Sequence, residues 1–157
     1  MNFPTPNDEP GRKRPARGVR VSLDEPTIVF LTICSDNRDP WLAQKSVQDS
    51  LEDIWREANT WLVGYYLLMP DHLHLFCAPR DLNFTLQQWV SYWKSQFQRR
   101  HSTQPWRWQR NFWDTRLRRE EDYTTKWNYI RENPLRKGLV AEPDDWPFWG
   151  MMNGLRW

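Results

Sequence analysis

Two apolar runs, Trp61 to Met69 and His72 to Cys77, are parted only by Pro70-Asp71. A break this short leaves no room for a crossover, so the runs must fold back on each other as an antiparallel hairpin. The other elements have to be arranged around that hairpin. Upstream, Thr27-Ile28-Val29-Phe30-Leu31-Thr32-Ile33-Cys34 is β-branched or apolar throughout and reads as a strand covered on both faces. Asp39-Pro40 marks a turn and a helix start, after which Val47, Leu51, Ile54 and Ala58 fall on one helical stripe. Downstream, Leu86, Val90, Trp93 and Phe97 make the stripe of a second helix that ends near Arg100, and Phe112 to Leu117 predicts a fourth strand. A last helix begins at Glu120-Glu121-Asp122, acidic side chains suited to the positive end of a helix dipole. It is predicted to stop at Asn133-Pro134, where proline interrupts the hydrogen-bond ladder.

The order β-α-β-β-α-β predicts an α+β, ferredoxin-like antiparallel sheet with helices on one face, plus one C-terminal helix. Residues 27–149 hold this pattern. Residues 1–26 are proline-rich and read as an irregular basic arm, and residues 150–157 as a short tail. Cys34 and Cys77 lie in apolar runs without metal-ligand spacing and read as core residues of a reduced compartment. No apolar stretch reaches the roughly 18 residues that span a bilayer, and no signal-peptide pattern opens the chain. The expectation is a cytoplasmic protein without a membrane partner.

Formal net charge is only +2, but its distribution is uneven. Residues 94–119 carry Lys94, Arg99, Arg100, Arg107, Arg110, Arg116, Arg118 and Arg119 against Asp114 alone, a net of +7. The arm adds Arg12, Lys13 and Arg14. A block this basic in a near-neutral domain is either a solvated face or a phosphate-contacting surface. Trp106 and Trp108, interleaved with Arg107 and Arg110, read either as core or as platforms on which unpaired bases stack.

His72-Leu73-His74 sits on the second hairpin strand, where alternate side chains share a face. Both imidazoles therefore project one way, while Leu73, Leu75 and Cys77 point the other. Spacing alone leaves two readings, a metal-binding pair or two satisfied polar residues. Asp71 is placed either to join an ion or, at the hairpin, to cap or turn the backbone, and the turn position favours the second role. On the last helix, Tyr123, Trp127 and Ile130 share one stripe and Asp122, Lys126, Tyr129 and Asn133 another, about 100° away. A phenol, an amide and an ammonium on one strip suit phosphoryl transfer: the tyrosine attacks, the amide completes a metal's shell, and Lys126 holds a phosphate. The alternative is an amphipathic rim. His101 has no evident partner and reads as a surface residue.

Three ordered segments, Met69-Pro70-Asp71-His72-Leu73-His74-Leu75-Phe76, Phe112-Trp113-Asp114-Thr115-Arg116-Leu117-Arg118, and Tyr129-Ile130-Arg131-Glu132-Asn133-Pro134-Leu135-Arg136-Lys137-Gly138-Leu139-Val140, together resemble the REP-associated tyrosine transposases. These belong to the single-tyrosine HUH transposases, U being a hydrophobic residue. The resemblance spans roughly residues 26–149 and implies a nuclease acting on single-stranded DNA beside hairpins. It implies His72, His74 and Asn133 as ligands of Mg²⁺ or Mn²⁺, and Tyr129 as a nucleophile that forms a 5′-phosphotyrosine. With DNA as partner, a nucleoid-associated location is expected. The sequence leaves monomer or homodimer open. Two other functions compete: a domesticated hairpin-binding protein that does not cut, and a metal-dependent phosphodiesterase that activates water.

Overall fold

In the computed structural model, which describes residues 27–156, Pro70-Asp71 closes the expected hairpin. Strands β2 (Trp61–Leu68) and β3 (His72–Pro79) pair antiparallel, and the Met69 amide donates to the His72 carbonyl at 2.8 Å. Arg12, Lys13 and Arg14 lie outside the described residues. β1 (Ile28–Cys34) pairs with the other edge of β3, in the register Thr32 to His74 and Cys34 to His72. β4 (Trp113–Leu117) pairs with β1, and β5 (Trp149–Met151) with β2. The sheet order is β4-β1-β3-β2-β5, antiparallel throughout, with the histidine strand at its centre.

Strand alternation divides the interior in two. On one face Val29, Leu31, Ile33, Leu73, Leu75 and Cys77 meet α1 (Lys45–Glu57) and α2 (Leu86–Arg100) through Val47, Leu51, Ile54, Val90, Trp93 and Phe97. α2 starts where Thr85 and Gln88 form a reciprocal capping box, satisfying two amide donors that the first turn leaves open. On the other face Ile28, Phe30 and Phe76 meet Tyr123, Trp127 and Ile130 of α3 (Glu120–Arg131). The second face is therefore covered by the last helix, packed on the sheet of its own chain. The abundance of tryptophan is largely architectural: the indoles of Trp61, Trp89 and Trp146 donate to the carbonyls of Phe84, Ala58 and Leu68.

Three sequence expectations change. The helix start read at Asp39-Pro40 is instead a 3-10 turn at Asp36–Arg38, and α1 begins at Lys45. Asn133-Pro134 does end α3, at Arg131, but not the helical path. After Glu132 the chain starts a further turn, α4 (Asn133–Arg136), with proline in its first turn, where the missing N–H costs nothing. Beyond residue 149, the expected tail adds β5 to the sheet edge, and Leu155 packs into the second core. That contact needs Gly64. A Cβ there would come within 2.5 Å of the Tyr123 hydroxyl and 2.7 Å of Leu155, at the register shift between Val63 and Tyr66.

Candidate active site

His72 and His74 point to the α3 face, as the alternation of β3 requires, and are 5% and 3% exposed. Their rings meet edge to face with centroids 4.7 Å apart. Each Nδ1 is held by a side chain: His72 donates to the Asp71 carboxylate at 2.7 Å, and His74 lies 3.0 Å from the Thr32 hydroxyl. These partners fix the orientation of both rings, and the Asp71 carboxylate, an acceptor, also fixes the His72 tautomer with Nε2 as the ligating nitrogen. Burial holds His72 below its ordinary pKa despite the pull of Asp71. Burial, and after it neighbouring positive charge that includes Lys126, holds His74 well below. Both rings are thus neutral near pH 7, the form that binds a metal.

Asp71 does more than turn the backbone. Burial pushes its carboxyl up, but the hydrogen bonds and charges of His72 and Arg38 outweigh this and hold it well below the usual carboxylate range. Its second oxygen accepts from Arg38 Nε at 2.9 Å. Arg38, Asp71 and His72 form a chain of contacts that sequence alone does not disclose, because Arg38 is brought in by a turn 33 residues upstream of Asp71.

α3 packs on the same sheet face as the histidines. Tyr123 packs on Phe76 with centroids 4.8 Å apart. One turn on, Lys126 Nζ lies 4.4 Å above the Phe30 ring, which itself stacks on His74 at 5.3 Å. Farther along, Lys137 lines a cavity with His72. Tyr129 and Asn133 lie between Lys126 and Lys137 along the chain. Tyr129 is half-buried and opens on a groove shared with Lys126, Arg116 and Arg118. Asn133 is 6% exposed, and its side-chain oxygen accepts from Arg136, whose guanidinium also stacks on Tyr129 at 4.0 Å.

Among the described residues there is no cluster of three or more His, Cys, Asp or Glu side chains able to hold an ion. A divalent ion here would rest on the two imidazoles plus the Asn133 oxygen, a mixed nitrogen and oxygen set. Two neutral, pre-oriented imidazoles with fixed Nδ1 partners fit that role, and Arg136 would have to release Asn133. Cys34 and Cys77 are excluded as ligands or nucleophiles: burial raises the Cys34 thiol to about 11 and the Cys77 thiol well above its ordinary value.

The basic block divides. Arg116 and Arg118 reach the Tyr129 groove, and Arg119 precedes the first turn of α3 in an exposed position without a side-chain capping bond. Arg107 instead donates to the carbonyls of Gln104 and Trp106, and Arg110 is exposed in the loop before β4. Arg100 faces Asp53 and Glu57. Trp108 is wedged against Trp41, Trp93 and Phe97 with its indole nitrogen buried, so it is a core wall and not a base platform. Trp106 gives one face to Trp41 at 5.5 Å and is half-buried. His101 meets Ser50 at 2.9 Å and packs on Phe97. Lys137 was legible in principle, since it continues the Lys126, Tyr129, Asn133 stripe by one turn. Reading proline as a stop hid it.

No protein-family model matches the chain. An Escherichia coli K12 protein described as a REP-associated tyrosine transposase is 31% identical over 93 residues, covering 59% of this chain and 52% of the relative. A Haemophilus influenzae protein, with the same description in provisional form, is 31% identical over 96 residues, covering 52% of this chain and 53% of its own. The chain thus spans about half the length of the curated relatives it matches. Among solved structures, a REP-associated tyrosine transposase bound to a REP hairpin aligns with a TM-score of 0.68 at 22% identity, over 83% of this chain and 80% of that one. No helix among the described residues is long and apolar enough to cross a membrane. The chain is therefore similar in sequence to REP-associated tyrosine transposases, over about half their length, and has the fold of one of them.

Proposed function

We propose that this chain cleaves and rejoins single-stranded DNA beside hairpins of the REP type, with Tyr129 as nucleophile and His72, His74 and Asn133 as ligands of Mg²⁺ or Mn²⁺. One observation carries the reading: two buried, pre-oriented imidazoles share the sheet face on which α3, the helix bearing Tyr129, packs, with Lys126 of that helix over the Phe30 ring that stacks on His74. Burying two histidines on a sheet face without a task is costly, since each polar ring must be satisfied. The hairpin as DNA partner is supported by the solved relative, which was bound to one.

In cleavage the Tyr129 oxygen bonds to phosphorus as the bond from phosphorus to the 3′-oxygen breaks. The phenol proton passes to the departing oxygen, so a 5′-phosphotyrosine and a free 3′-hydroxyl result. Lys126, Arg116 and Arg118 hold backbone phosphates along the groove, and Arg136 stacked on the ring orients the phenol. An ion held by His72, His74 and Asn133 would supply Lewis-acid polarisation of the scissile phosphate. By ligand softness, two imidazoles suit Mn²⁺ better than Mg²⁺.

The test is incubation with single-stranded hairpin DNA and Mn²⁺, resolved on a denaturing gel. A DNA-linked protein band that is lost in Tyr129→Phe and in His74→Ala is expected. Cleavage that survives Tyr129→Phe would identify a water-activating phosphodiesterase, and hairpin binding without cleavage would identify a pure binder.

A further inference from the structure

A cavity of about 330 Å³ opens beside His72 and shares no lining residue with the Tyr129 groove. Its wall has an apolar part, including Pro40, Met69 and Leu139, and two cations, Arg38 and Lys137, with one carboxylate, Asp71, already engaged by Arg38 and His72. The volume is at the lower end of small-ligand pockets, roughly 300–1,000 Å³, so it suits one nucleotide. Among the described residues the Lys137 ammonium makes no hydrogen bond or ion pair, and Arg38 commits only Nε, to Asp71. The Arg38 Nη groups therefore keep their donors for a ligand.

The backbone around Arg38 gives an independent sign of a built site. Asn37 and Arg38 have φ of 54° and 56°, in the left-handed region. For non-glycine residues this costs on the order of 1–3 kcal/mol each and persists where surroundings impose it. Around this turn the Arg38 amide donates to the Ser35 carbonyl at 3.2 Å, and the Ser35 hydroxyl lies within hydrogen-bond reach of the Asp39 and Asp71 carbonyls. On the opposite wall Gly138, at φ 72°, turns the chain so that Lys137 and Leu139 both reach the cavity.

In-line displacement puts the entering and leaving oxygens on opposite sides of phosphorus. A phosphate at the histidines, attacked from the groove side by Tyr129, expels its 3′-oxygen toward this cavity. We infer that the cavity seats the nucleotide carrying the 3′-hydroxyl, with Arg38 and Lys137 on its phosphate, as departing end in cleavage and attacking end in joining. In joining the 3′-oxygen bonds to phosphorus, the bond to the Tyr129 oxygen breaks, and the hydroxyl proton passes to that phenolic oxygen. The inference rests on the reading of Tyr129 as nucleophile.

The two steps should depend on the cavity unequally. In cleavage the departing nucleotide is tethered to a hairpin held elsewhere, whereas a separate acceptor strand relies on the cavity for its placement. In Lys137→Glu, at an exposed position, the acceptor oligonucleotide concentration for half-maximal joining should rise about tenfold or more, the scale of one charged contact. Phosphotyrosine formation should fall by less. Equal falls in both steps, or an unchanged acceptor dependence, would overturn the inference. A wild type that forms no adduct would overturn the reading of Tyr129. The cavity is then judged by fluorescence-polarisation binding of a 5′-labelled trideoxynucleotide with a free 3′-hydroxyl. Weaker binding in both Lys137→Glu and Arg38→Gln supports the seat, and unchanged binding refutes it.

Discussion

The two faces of the central sheet are built from the same strands and have opposite characters. Toward α1 and α2, alternate residues of β1 and β3 are uniformly apolar, and the helices close over them with Trp93 and Phe97. Toward α3, the same strands present Phe30 and Phe76 at one end and Thr32, His72 and His74 at the other. The first face spends its burial on stability. The second is apolar only as far as needed to dock Tyr123, Trp127 and Ile130, and beyond that point it becomes polar. One helix suffices to cover it, and the buried polar end, with Thr32, His72 and His74, is where chemistry is possible. A strand with period-two alternation thus serves a core and a site at once.

The contrast can be broken from either side. The largest effect is expected from Tyr129→Phe, which should lower DNA cleavage by at least ~10³-fold. Its thermal unfolding should shift little, since the variant lacks only the hydroxyl of a half-buried residue. Next, Trp93→Ala on the first face should destabilise the fold by about 3–5 kcal/mol in denaturant titrations. His74→Gln on the second face should cost much less stability and abolish cleavage. Similar stability losses at both sites would erase the distinction between the faces.

A smaller effect tests the support of the histidines. Asp71→Asn keeps the shape but weakens the carboxylate's hold on His72 and Arg38. Mn²⁺ affinity measured by calorimetry should fall about 10–100-fold, and an unchanged affinity would show that Asp71 does not orient a ligand. The mildest change is expected from Arg116→Ala and Arg118→Ala. Each should flatten the dependence of log binding constant on log salt by ~0.7–0.9 for every phosphate it no longer neutralises. Arg107→Ala should not, because its guanidinium is already engaged by the loop carbonyls.

Much of this arrangement was legible in the chain because it follows from local periodicity. The short break at Pro70-Asp71 dictates the hairpin, and alternation along His72-Leu73-His74 dictates a shared face. The 3.6-residue period separates Tyr129 and Asn133 from the stripe of Tyr123, Trp127 and Ile130. What was hidden depends on contacts between distant segments or on local exceptions. Arg38 enters through a left-handed turn that no pattern announces. β5 is three residues, too short to show alternation, and forms because β2 offers an edge. Trp108 sits beside arginines in sequence but is claimed by Trp41 and Trp93. Pro134 reads as a stop, yet in the first turn of α4 it is compatible with the helix that carries the path on to Lys137.

The most direct test of the central claim is to trap the covalent complex on hairpin DNA with Mn²⁺, digest it, and map the modified peptide by mass spectrometry. A nucleotide-bearing fragment with the adduct on Tyr129 is the predicted result. An adduct on another residue, or a cleaved strand with no adduct at all, would contradict it.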